Sequence, residues 1–212
     1  MTATAETITI KAPNFQSVTV RIVGTSPLVQ HRFWKKGEMM AAQEAGRQSK
    51  SRKKSEARDF EADFRQASHQ SPEGWYGVPA SAFRNGMISA CRIVGFKMTQ
   101  AKLAVFVRQD GVDQDGLPIV KLLAGEPENY TSYARNANGS VDIRARPMWR
   151  EWGTELKVDY DADLFSATDV VNLLARVGVQ VGVGEGRPDS KMSAGLGYGL
   201  FRIEDSVEVG NA

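Results

Sequence analysis

Between Gly182 and Gly199 the chain reads GVGEGRPDSKMSAGLGYG, with glycine at 182, 184 and 186 and again at 195, 197 and 199. Glycine at every second position of an extended segment leaves one face bare, so a phosphate backbone, a base or another protein strand can come close to the main chain. The segment therefore reads either as a ligand-facing loop or as a close-packing and bulge device in a twisted sheet. It is not a nucleotide cradle. No Gly-Lys-Ser/Thr ends it, and the helix pattern precedes it, where a phosphate or dinucleotide loop needs the helix to follow. That preceding helix is well marked: Ser166 and Asp169 have capping-box spacing, Val170, Val171, Leu173, Leu174 and Val177 make an apolar face, and Gly178 closes it. Leu200 to Val209 predicts a final strand.

Upstream, Thr7 to Lys11 and, more clearly, Ser17 to Thr25 alternate as strands, the second with Val18, Val20 and Ile22 on one face. Leu28 to Trp34 follows as a loop or short helix. Pro79 introduces a helix over Ala80 to Val94, with Phe83, Met87, Cys91 and Val94 as its buried stripe and Gly95 as its stop. Leu103 to Arg108 and Pro118 to Leu123 read as strands of a hairpin, at about 103–123, whose exposed tip is DGVDQDG. After a polar connection from Glu126 to Gly139, Ser140 to Trp152 and Thr154 to Tyr160 read as sheet segments. Strand, helix, strands, then strand, helix, strand is the order of an α+β, ferredoxin-like (RRM-like) split βαβ fold.

A chain of 212 residues can bury one substantial core, and one domain over 1–212 is the expectation. No apolar run approaches the roughly 20 residues that span a bilayer, and Met1 to Glu6 lacks the basic-then-apolar start of a signal peptide. The expectation is a cytoplasmic protein with no membrane partner. Cys91, the single cysteine, has no second thiol for a disulfide or a zinc knuckle and reads as a small core residue. Two distant histidines do not complete a standard zinc set, and Asp110, Asp113 and Asp115 read as turn formers, not as a calcium loop. No metal or other cofactor is expected.

Charge is unevenly placed. Arg32 to Arg58 holds nine Lys or Arg against three Glu, a local +6 in a chain whose net charge is +2. A basic segment on a mildly acidic body is the footprint of a polyanion partner, or a solvated charge run. The stretch at about 35–68 has few large apolar residues and reads as an insertion. Within it, Glu56 to Ala67 is expected as a helix carrying Phe60 and Phe64, and Lys50 to Lys54 as mobile until bound.

The helix leading into GVGEGRP…SAGLGYGLF and a last strand, with the N-terminal VTVRIVGTSPLVQHRF, resembles the RAMP superfamily, the CRISPR-associated proteins that bind or process guide RNA. The layout is also similar to proteins encoded by phages and prophages. The resemblance rests on about 40 residues at the two ends. It implies a glycine loop lying along a nucleic-acid backbone, and either a homo-oligomer along the strand or a subunit of a nucleoprotein complex. The leading expectation is a protein that binds single-stranded RNA or DNA, RNA favoured, largely independent of sequence and without catalysis.

The contacts expected from the residues are Arg32, Lys35 and Lys36 after the first core strand, and Lys50, Arg52, Lys53 and Lys54 in the insertion. Arg144, Arg146 and Arg150 alternate along one strand, and Gly184, Gly186, Arg187, Lys191, Gly195 and Gly197 lie in the loop. Phe33, Trp34, Trp149 and Trp152 lie among these cations and fit stacking on unpaired bases, while Trp149 and Trp152 fit core packing equally. An imidazole can serve metal-independent RNA cleavage, and repeat-processing endoribonucleases of the superfamily are similar in carrying a histidine where this chain has His31. That makes an endoribonuclease the second reading, with His69 read as ordinary surface. A third is an interaction protein that engages or mimics a CRISPR effector subunit.

Overall fold

The computed structural model describes residues 10–32, 59–135, 141–190 and 195–211. Its strands are β1 (Phe15–Gly24), β2 (Leu28–Val29), β3 (His69–Gln70), β4 (Tyr76–Pro79), β5 (Val105–Val107), β6 (Gly111–Val112), β7 (Pro118–Lys121), β8 (Glu128–Arg135), β9 (Val141–Trp149), β10 (Gly153–Asp161) and β11 (Phe201–Asn211). The helices are α1 (Phe60–Gln66), α2 (Ala80–Ala90), α3 (Met98–Ala104) and α4 (Ala167–Arg176), and α4 runs on into a π-helical turn at Val177–Val181. The architecture is mixed α+β with antiparallel pairing throughout the described strands.

The main sheet has the order β11-β1-β10-β5. Val18, Val20 and Ile22 of β1 and Leu156, Val158 and Tyr160 of β10 are buried on one face, and α2 and α4 cover them. From α2 come Phe83 and Met87, followed by Cys91, all fully buried; from α4 come Val170 and Leu174. Gly86 lets the helices close up, since a Cβ there would stand 2.8 Å from a Val177 methyl. Phe201 finishes the core, edge-on to Phe83 and Trp152 at 6.1 Å each. Burying such aromatic rings contributes roughly 2–3 kcal/mol apiece by area. The opposite face is polar, with Arg21 between Glu155 and Glu204 at 3.7 and 3.8 Å. Two smaller sheets, β2-β9-β8 and β3-β4-β7-β6, flank this unit.

Several expectations change in detail. The Ser166 capping box is present with both of its bonds, but α4 does not stop at Gly178; the chain continues through the π turn and is released at Gly182, with φ 71°. Gly178 admits Phe201 instead, whose carbonyl passes so close that a Cβ there would lie 2.2 Å away. Helix α2 ends at Ala90, and Val94, assigned to the buried stripe, is 47% exposed. Leu103 is the last turn of a helix and not the start of a strand, and β5 pairs with β10, so the expected 103–123 hairpin reduces to β6 and β7. The polar stretch read as a connection holds β8, paired along its length with β9. Of the N-terminal strand expected at 7–11, only Ile10 and Lys11 are described, and neither is in a strand. No described helix is long and apolar enough to cross a membrane.

Candidate nucleic-acid interface

All six glycines of the loop take positive φ, between 63° and 76°, whereas no other residue type among those described does so. The six glycines differ in what they face. A Cβ on Gly184 would meet the Val29 carbonyl at 2.6 Å, one on Gly186 the Tyr198 ring at 2.7 Å, and one on Gly199 the Val183 carbonyl at 1.7 Å. These glycines admit protein. Backbone bonds show the same docking, from Glu185 to Val29 (2.9 Å), from Gly199 to Pro27 (2.8 Å) and from Val183 to Gly199 (3.0 Å). Gly197 has nothing within 4 Å of its Cβ position and Gly195 only the Pro188 carbonyl at 3.8 Å. The bare backbone is therefore at Gly195 and Gly197, running beside Gly186 to Pro188 through the Tyr198–Gly186 bond of 3.2 Å, while Gly199 of the same triplet is packed.

The expected cations separate into three groups. Lys35, Lys36, Lys50, Arg52, Lys53, Lys54 and Lys191, with the aromatic pair Phe33 and Trp34, lie outside the described residues. Arg32 and Arg146 are spent internally. The Arg32 side chain is only 10% exposed, binds Asp115 Oδ2 through Nη2 (2.6 Å) and Nε (3.0 Å), and donates Nη1 to the Gln66 carbonyl. Arg146, 4% exposed, donates to Glu185 Oε1 at 3.0 Å and to Ser132 Oγ, with its guanidinium over the Tyr130 ring. Strand alternation placed Arg146 on one side of β9; it could not reveal that the glycine loop lies on that side. Arg144 is half-buried on the same strand. Arg150 remains at the surface, paired to Glu128 (2.9 Å) with both side chains more than half exposed, while the half-buried Arg187 is bonded to the Gly184 carbonyl at 3.0 Å. An exposed pair is worth about 0–1 kcal/mol, so Arg150 can exchange Glu128 for a phosphate at little cost.

Trp149 and Trp152 are core residues, 2% and 3% exposed, with indole N–H groups donated to the Gly125 and Ser26 carbonyls. They offer no stacking face. Tyrosines at the loop do: Tyr198 donates its hydroxyl to Tyr130 at 3.2 Å, the rings edge-on at 6.0 Å, and that bond pushes the Tyr198 phenol up and the Tyr130 phenol down. Tyr133, further along β8, is 79% exposed. Tyr130 and Tyr133 did not stand out in the sequence, because β8 lacks an apolar face.

Between the start of α2 and the first triplet lies a cavity of about 340 Å³, whose wall includes His31, His69, Ser81, Asn85, Ser89 and Arg187. His69 is not surface. Its Nδ1 is 2.7 Å from Asp113 Oδ2, a carboxylate with 1% side-chain exposure that also accepts the Asp115 and Leu117 amides at 2.9 Å. Burial pulls the His69 pKa below its ordinary value against the opposing bond to Asp113; burial raises Asp113, but the His69 and backbone bonds outweigh it and hold the carboxyl low. Gln30 clamps the two histidine segments, accepting the His69 amide at 3.0 Å and donating to the Gly77 carbonyl at 2.8 Å. Asp113 is the turn former expected from the sequence, and it also orients a histidine. Among the described residues no group of three or more His, Cys, Asp and Glu is placed to hold a metal ion.

No family model and no curated protein matches the sequence. Among solved structures, the chain is similar to one in the cryo-EM structure of the Type III-B Cmr-beta bound to cognate target RNA, with TM-score 0.50 and 11% identity over 93% of this chain and 61% of the other. The present chain spans less than two thirds of that chain, and at this identity the likeness is one of fold.

Proposed function

We propose that the chain is a single ferredoxin-like domain that grips single-stranded nucleic acid, RNA in preference to DNA, largely without regard to sequence. It does so without catalysis, as a homo-oligomer along the strand or as a subunit of an intracellular nucleoprotein complex. The strand order supports the fold reading. Numbering the four main-sheet strands by their place in the chain gives 4-1-3-2, with α2 following the first and α4 the third, as in a split βαβ unit. The observation that carries the functional reading is the open pair Gly195 and Gly197, where bare backbone faces outward beside Arg187 and the Tyr130–Tyr198 pair. That combination offers close backbone approach, a cation for phosphate and rings for bases. A fold shared with a chain of an RNA-bound complex supports RNA as the strand.

The test is salt-dependent binding of unstructured RNA and DNA oligonucleotides. Replacing Arg187 and Lys191 together by alanine is expected to weaken binding to all sequences alike, and to make the log–log salt slope shallower by about 0.7 for each phosphate that is no longer neutralised. Unchanged affinity and slope in a folded double variant would reduce the loop to a packing device. The endoribonuclease reading gains one specific support, since His31 shares its cavity with a second, Asp-oriented histidine; cleavage of RNA in EDTA, abolished in His31→Ala, would establish it.

A further inference from the structure

The cavity beneath the first glycine triplet is built for an uncharged polar group. Its acidic side chains, Glu185 and Asp189, are answered from outside by Arg146 (3.0 Å) and Arg92 (2.9 Å), and its own cation, Arg187, is bonded to a carbonyl of the loop. A phosphate inside the cavity would face two carboxylates and one guanidinium. The volume, about 340 Å³, is at the small end of ligand sites and suits one unit of a strand, not a run of it. One wall is polar because of the way α2 is patterned. Ser81, Asn85 and Ser89 recur at i, i+4 and i+8 on α2, opposite its buried Phe83 and Met87, and Ser81 and Asn85 are exposed.

His69 supplies the recognising atom. An ionised Asp113 only accepts, so the 2.7 Å contact puts the ring proton on Nδ1 and leaves Nε2 as a bare acceptor in a ring whose orientation is set by Asp113 and whose backbone is pinned by Gln30. Such an acceptor requires a donor from its ligand. In a polynucleotide the base N–H donors change from base to base, and the 3′ and 5′ oxygens are esterified. The 2′-hydroxyl is the donor that every RNA nucleotide carries and no DNA nucleotide does.

We propose that this cavity is a ribose-reading site, in which one nucleotide of the bound strand presents its 2′-hydroxyl to His69 Nε2, with Asn85 and Ser81 facing the same sugar. The site rests on the single-strand reading above and gives its RNA preference a physical cause. Asp113 is a positioning residue, setting the tautomer of His69.

The experiment measures the affinity of the full chain for three oligonucleotides of one sequence, as RNA, 2′-deoxy and 2′-O-methyl forms, in EDTA. The parent is expected to hold RNA roughly three- to tenfold tighter than the other two, the value of one hydrogen bond. The ratio should fall close to one in His69→Phe, which keeps a ring without an acceptor, and in Asp113→Asn, whose amide can donate to Nδ1 and so move the ring proton to Nε2. Asn85→Ala, at an exposed position where folding is not at stake, should lower the ratio in part. A parent that binds RNA and DNA equally overturns the ribose site and leaves the single-strand reading standing. A parent that binds neither overturns both. A preference for RNA that survives His69→Phe and Asn85→Ala refutes the site, as does cleavage of RNA in EDTA that His69→Phe abolishes, which would make the pocket catalytic.

Discussion

Alanine at Gly197 and alanine at Gly199 are the same chemical change two residues apart, at nearly the same backbone conformation, φ 76° and 69°. Their consequences should differ. At Gly197 the new methyl meets nothing within 4 Å. Only the left-handed conformation is penalised, by about 1–2 kcal/mol, and stiffening of the unfolded chain offsets part of that, leaving a net cost of about 1 kcal/mol. At Gly199 the methyl would stand 1.7 Å from the Val183 carbonyl, so the two segments must part by more than 1 Å. That separation breaks the Val183–Gly199 and Gly199–Pro27 bonds of 3.0 and 2.8 Å. Two hydrogen bonds at about 0.5–1.5 kcal/mol each, added to the same conformational penalty, give a loss of about 2–5 kcal/mol. For a chain of this size about 2–4 °C of Tm accompanies each kcal/mol, so Gly197→Ala should lower Tm by no more than about 4 °C and Gly199→Ala by about 4–20 °C. Thermal and urea unfolding followed by circular dichroism reads both. Equal losses at the two sites, or a tolerated Gly199→Ala, would refute the division of the loop into glycines packed against protein and glycines left open.

Phe83→Ala empties a fully buried site facing Phe201 and should cost about 3–5 kcal/mol in urea unfolding; a loss under about 1 kcal/mol would contradict the core described. His69, faced by Asp113, Arg32 and Asp115, has its pKa lowered chiefly by burial, so the unfolded chain binds more protons just below pH 6.5. Stability should therefore fall as pH drops from about 6.5, and this acid-side slope should shrink in His69→Phe, as urea midpoints at a series of pH values would show. Burial also pushes the Cys91 thiol up, and with the residue fully covered it should react with a thiol reagent only as the protein unfolds. Rapid labelling of native protein would place Cys91 outside the core.

Elements with a strong short-range period were legible. Alternation in β1 marked Val18, Val20 and Ile22 as buried, and the stripe of α2 marked Phe83, Met87 and Cys91, because burying one face of a strand or helix is what such spacing achieves. The Ser166–Asp169 cap was equally readable, since its two bonds are local. Legibility failed where a partner distant in the chain decides the outcome. β8 is polar and becomes a strand because β9 pairs with it, and Gly178 makes room for the Phe201 carbonyl where it was expected to end a helix.

The same division governs the site. Sequence alone set six glycines in two alternating triplets, with Arg187 and Lys191 between them. Only the tertiary structure decided which glycines admit protein and which stay bare. It also turned Arg32 and Arg146 inward to carboxylates, and brought His69 and Asp113, which are 44 residues apart, into contact beside His31. Charge and backbone freedom are properties of a residue, whereas exposure, pairing and tautomer belong to the neighbours that folding supplies.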